Sequence, residues 1–178
     1  MLNARAKLAV GVGALTAVGV AGAVALAQGG SDFKERLTGY QEVPALSTSG
    51  HGTFRASIRN HGTAIRYKLT YAGLDTKPLQ AHIHLGQRGV NAGVIVFLCD
   101  NTGAGPAGTQ PCPNPSGTVT GTLQAADVIG PSAQGIAPGE FGELVRAIRA
   151  GATYANVHTE KYPGGEIRAQ LERKGKRR

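Results

Sequence analysis

Residues 54–71 read FRASIRNHGTAIRYKLTY, and this stretch decides the fold class. Phe54, Ala56 and Ile58 alternate with Arg55, Ser57 and Arg59; Ile65, Tyr67, Leu69 and Tyr71 alternate with Arg66, Lys68 and Thr70. A period of two puts each apolar set on one face of a strand, and Asn60-His61-Gly62 between the runs is a turn signal, so the segment is a hairpin with one face buried. The same grammar recurs downstream. Ala81, Ile83 and Leu85 alternate with His82 and His84; Val94 to Cys99 is continuously apolar, as a strand buried on both faces requires; Thr118–Leu123, Thr153–Thr159 and Glu166–Leu171 are further short strands. Tyr162-Pro163-Gly164-Gly165 is the turn between the last two. One segment has a different period: Phe141, Leu144, Val145 and Ile148 are spaced for a helix over 140–150, with Gly151 as its stop. The expectation is an all-β, immunoglobulin-like or Greek-key β-sandwich with one short helix.

The N-terminus is read as a signal peptide, residues 1–27. Arg5 and Lys7 form the basic start, Leu8 to Ala27 is uncharged and apolar, and Ala25-Leu26-Ala27 is an A-x-A cleavage site before Gln28. The competing reading, a retained membrane anchor, suits this Gly- and Ala-rich run less well. The expected protein is therefore secreted or extracytoplasmic, with no stable membrane span after cleavage. Its domain covers residues 28–172, and residues 173–178 form a basic disordered tail.

The formal charge of +8 is mostly terminal. Between Gln28 and Glu172 there are 12 basic and 11 acidic residues, and five more bases stand in the last six positions. A nucleic-acid reader carries its bases on the folded surface among aromatics; this distribution argues against nucleic acid as a partner. Cys99 and Cys112 enter an oxidising compartment on export and are expected to pair, closing a Gly- and Pro-rich loop for about 3 kcal/mol.

Three stretches resemble the CHRD domain, named after chordin: Leu37-Thr38-Gly39-Tyr40-Gln41-Glu42-Val43-Pro44; Ala81-His82-Ile83-His84-Leu85-Gly86 running on through Gly89-Val90-Asn91 to Val94–Cys99; and Tyr154-Ala155-Asn156-Val157-His158-Thr159 followed by Tyr162-Pro163-Gly164-Gly165-Glu166-Ile167-Arg168-Ala169-Gln170-Leu171. They occur in order over residues 37–171, with alanine at 45, 92 and 169 as departures from the family pattern. The resemblance implies an immunoglobulin-like sandwich in an exported protein of bacterial type. It implies no reaction.

His82 and His84 stand two apart on an expected strand, so both leave the same face about 7 Å apart. With His158 from another strand, they form a candidate three-imidazole site for copper or zinc. Protonated imidazole does not ligate, so binding is expected to weaken as pH falls through about 6.5. Glu166 is a possible fourth ligand, or else a partner for Arg168; His51 and His61 read as exposed turn histidines, and Glu42 as an edge residue able to pair with the domain. The H-x-H strand also looks like the copper strand of Cu/Zn superoxide dismutase, in motif and architecture only.

Other signatures fail. Gly103-Ala104-Gly105-Pro106-Ala107-Gly108 fits G-x-G-x-x-G, but Pro111, Pro113 and Pro115 follow it where a helix is needed. No G-x-S-x-G elbow is present, and the acids are too sparse for a glycosidase pair. The sequence points away from an enzyme. It leaves three readings in order: an exported binding domain with a histidine metal site, a metal-free module for a protein or cell-envelope partner, and a dismutase-like oxidoreductase.

Overall fold

The computed structural model describes residues 32–172; the expected signal peptide and the basic tail lie outside the described residues. The expected runs form strands, and one more precedes them: β1 (Asp32–Thr38), then β2 (His51–Arg59), β3 (Ala64–Ala72), β4 (Pro78–Leu85), β5 (Val94–Asp100), β6 (Gly117–Leu123), β7 (Thr153–Thr159) and β8 (Ile167–Gln170). The one α-helix among the described residues, α1, covers Phe141–Ala150; its buried stripe is Phe141, Leu144, Val145 and Ile148, and Gly151 ends it in the left-handed conformation at φ 73°.

The strands join one antiparallel sheet in the order β5-β4-β7-β8-β1-β2-β3-β6. The β8–β1 seam carries a single ladder pair, Thr38 with Arg168, so the sheet divides into two four-stranded leaves there. It curls nearly into a barrel, with edge strands β5 and β6 close together. Tyr67 Oη, from β3, donates to Leu98 O on β5 at 2.8 Å. The fold is all-β with one helix. The 54–71 hairpin forms in register from His51–Ala72 to Arg59–Ala64, turning through positive φ at Asn60 and His61.

Strand β1 was not visible as an alternating run. Phe33 and Leu37 are buried, but the half-buried Glu35 shares their parity and breaks the pattern. Strand β5 is an edge strand, with Ile95, Val96, Leu98 and Cys99 buried and Phe97 only partly so. Cys99 and Cys112 are bridged, Cα to Cα 5.0 Å, tying the end of β5 to the loop that precedes β6. Asn101 fastens the same loop, donating to Pro78 O and Cys112 O and accepting from Cys112 N. No helix among the described residues is long and apolar enough to cross a membrane.

What positions the site is that the leaf β5-β4-β7-β8 is buried on both faces. Ala81, Ile83, Ala155, Val157, Ile167 and Ala169 face the apolar core. The alternate residues of the same strands, His82, His84, Tyr154, Asn156, His158, Arg168 and Gln170, are buried too. They lie on the other face, and those on β7 and β8 are covered by loops.

Candidate metal centre

Strand pairing brings the three histidines together. In the β4–β7 ladder Gln80 is opposite His158, His82 opposite Asn156, and His84 opposite Tyr154, so all six share one face. His82, His84 and His158 are 3 %, 6 % and 8 % exposed. One ligand nitrogen from each lies within 4.8 Å of the others. The tightest pair, His82 Nδ1 and His158 Nε2, is 3.0 Å apart. A bound ion brings such nitrogens to roughly 3–4 Å, so the cluster converges and is slightly open.

The hydrogen bonds fix the tautomers of the neutral rings. His158 Nδ1 donates to Pro163 O at 2.9 Å, which leaves Nε2 as an acceptor. The 3.0 Å contact then requires His82 Nδ1 to donate to it. His84 Nδ1 donates to Ala92 O at 2.8 Å, leaving its Nε2 as an acceptor as well. His82 Nε2 and His84 Nε2 are buried without any hydrogen-bond partner. Anchoring of the distal nitrogen by a carbonyl is the arrangement that orients metal-ligating imidazoles.

Burial keeps the rings neutral. It lowers His82 to about 2, with the nearby His158 and His84 adding to the effect. It lowers His84 to about 4, against the opposing bond to Ala92 and the raising effect of the neighbouring Asn156 side chain. His158 is also lowered by burial, opposed by its bond to Pro163. The neutral form, which is the form able to ligate, is thus favoured below the ordinary histidine range. Burial moves protonation of the metal-free rings below the ordinary histidine range near 6.5.

Several supporting residues carried no signal on their own. Tyr154 stacks on His84, ring centroids 4.7 Å apart and planes 1° apart. The Arg168 guanidinium sits 3.4 Å over the Tyr154 ring. With β7 between β4 and β8, the three side chains form a layered stack. Arg168 also donates to Asn91 Oδ1, Gln87 O and Val90 O, while Ala92 N donates to Tyr154 Oη. The 86–93 loop is thereby clamped over the histidines. Phe97 meets His82 edge to face at 4.3 Å. The parity of His158 on its strand already contained Tyr154 and Asn156; the loop closure had no local signal.

Glu42 is 6 % exposed and is no edge residue. Burial raises its carboxyl to about 7, against the lowering pull of Arg168 and a hydrogen bond from Asn156. Its Oε1, like Asn156 Oδ1, has no partner. Gly165, at φ 126°, leaves them room: a Cβ there would lie 2.7 Å from both Asn156 Nδ2 and Glu42 Oε1.

Glu166 is committed elsewhere. Its carboxylate accepts from Thr48 Oγ1, Asp75 N and Thr159 Oγ1 at 2.7, 2.9 and 2.8 Å, and it partners neither the histidines nor Arg168. His51 and His61 are exposed and outside the cluster, as expected.

No curated protein and no solved structure matches the chain. A family model for the CHRD domain matches residues 33–171, nearly all of the described fold, and the chain therefore belongs to the CHRD domain family.

Proposed function

We propose that this is an exported metal-binding domain in which His82, His84 and His158 together hold one copper or zinc ion. The observation that carries the reading is the buried cluster itself, in which one ligand nitrogen from each of His82, His84 and His158 lies within 4.8 Å of the others, and in which His82 Nε2 and His84 Nε2 lack a hydrogen-bond partner. A buried polar atom without a partner costs about 1–3 kcal/mol. His82 and His84 share one sheet face, with ring centroids 5.3 Å apart, and a cation held there would recover that cost. Neutral imidazoles fit copper and zinc by donor type. The Cys99–Cys112 bridge and the leader-like residues 1–27 support a place outside the cytoplasm.

Burial of all three rings fits an ion that is retained better than one that meets a diffusing substrate. It ranks the binding reading above a dismutase-like oxidoreductase. The metal-free interaction module is the second reading, favoured by the His82–His158 hydrogen bond, which satisfies one nitrogen pair with no ion.

Calorimetric titration of untagged, chelator-stripped protein at pH 7 with Cu(II) and with Zn(II) separates the two. One ion bound per chain, lost in the His82→Ala/His84→Ala/His158→Ala variant, supports the site. A triple variant that binds as the parent does leaves the interaction module.

A further inference from the structure

The near balance of 12 bases and 11 acids in residues 28–172 conceals a segregation. Six of those bases, Lys34, Arg36, Arg55, Arg59, Arg66 and Lys68, stand on the outer parity of β1, β2 and β3, the leaf remote from the histidines. All six are exposed. The net charge is still mostly terminal, but alternation places these six bases at outward positions of three neighbouring strands, and pairing gathers them.

Register makes the arrangement costly. Lys34 is directly opposite Arg55, and Arg55 directly opposite Lys68, so three like charges cross the leaf in one row. Directly opposed like charges destabilise a sheet. No ion pair joins Lys34, Arg55, Arg66 or Lys68 to a carboxylate among the described residues. Beside the row runs a groove of about 670 Å³, lined by these four bases and by Thr120 and Thr122 of β6, and also by the core-buried Phe33, Ala56 and Tyr67. Neither residues 1–31 nor residues 173–178 contain an acid, so neither segment supplies the missing charge.

We infer that this face binds a linear anionic polysaccharide, carboxylated or sulfated. Lys and Arg supply the charge complement, and the arginine forks suit planar or tetrahedral anions. The threonine hydroxyls match the polar surface between the charges of a glycan. Strand spacing roots the side chains of the row about 4.8 Å apart, a regular array of cations that suits anionic groups repeating along an extended chain. The outward row holds no aromatic side chain on which bases would stack, which disfavours single-stranded nucleic acid. It also holds no apolar side chain to enter a bilayer. The inference is independent of the metal site, which lies on the other leaf.

The test uses the full chain at low ionic strength, with a heparin octasaccharide and an oligogalacturonate as probes. A 20-mer single-stranded DNA and phosphatidylglycerol vesicles are the comparators. Two variants, Lys34→Ser/Arg55→Ser and Arg66→Ser/Lys68→Ser, change exposed positions only, and their thermal midpoints report folding. Each is expected to weaken binding of at least one glycan probe by about tenfold or more, and added salt to weaken the parent likewise. Replacing the five tail bases by serine is expected to do less than either. The inference is overturned if neither glycan binds the parent, if both folded face variants bind as the parent does, if the tail accounts for the affinity, or if DNA or vesicles bind more tightly through the same face.

Discussion

His84 and Arg168 lie on opposite sides of one ring: His84 stacks on Tyr154 from β4, and the Arg168 guanidinium covers it from β8. A cation placed there turns a histidine-bearing strand into a rigid platform, because Arg168 also grips the 86–93 loop that carries the acceptor for His84. Arg168→Lys keeps the charge and loses the fork. It is expected to lower metal affinity about tenfold, in the range seen when outer-shell partners of ligands are altered, while Cys99–Cys112 pairing stays intact. Titration calorimetry and thiol alkylation measure the two.

The metal-free protein should lose stability in acid. Each of the three histidines has a folded pKa below that of the unfolded chain. Above about pH 6.5 both states are neutral and contribute no slope. Below it the unfolded chain takes up protons that the folded one refuses, so stability falls as pH falls, by at most about 1.4 kcal/mol per pH unit for each histidine. Urea midpoints from pH 7 to pH 5 should show this decline. The His82→Gln/His84→Gln/His158→Gln variant should show a shallower one.

Glu42 acts with the opposite sign. Its folded pKa, about 7, is above the ordinary value of 4.5. Its contribution is fully present below that ordinary value and is lost as pH rises through about 7. Glu42→Gln removes the ionisation and should raise stability at pH 8 by about 1–3 kcal/mol, with little gain at pH 4. Denaturant unfolding at the two pH values measures the difference.

The bridge should be quantitative in exported protein: alkylation without reductant should label neither Cys99 nor Cys112. Cys112→Ser is expected to cost about 3 kcal/mol by loss of the loop constraint. Stoichiometric labelling of the untreated protein would contradict the pairing. Mass spectrometry of the same secreted material is expected to give a chain starting at Gln28; a mass retaining Leu8 to Ala27 would mean a membrane anchor instead.

The hairpin, the helix and the face shared by His82 and His84 could be read from the sequence because each depends on spacing within one element. The convergence of His158 on them depends on β7 entering between β4 and β8 in the register that sets Gln80 opposite His158. No local pattern states a register between strands some seventy residues apart. Glu42, Asn156 and the Tyr154 stack were hidden for the same reason, since loops from 86–93 and 160–165 bury a face that alternation alone marks as polar and exposed. The basic face was obscured by counting, which sums charges that strand parity separates.

The central claim, that three imidazoles hold one ion, is tested most directly by anomalous diffraction at the copper or zinc edge from crystals of metal-loaded protein. The account predicts one strong peak about 2.0–2.1 Å from a single ring nitrogen of each of His82, His84 and His158. A loaded crystal whose peak lies elsewhere, with the 3.0 Å His82–His158 hydrogen bond still in place, would contradict it.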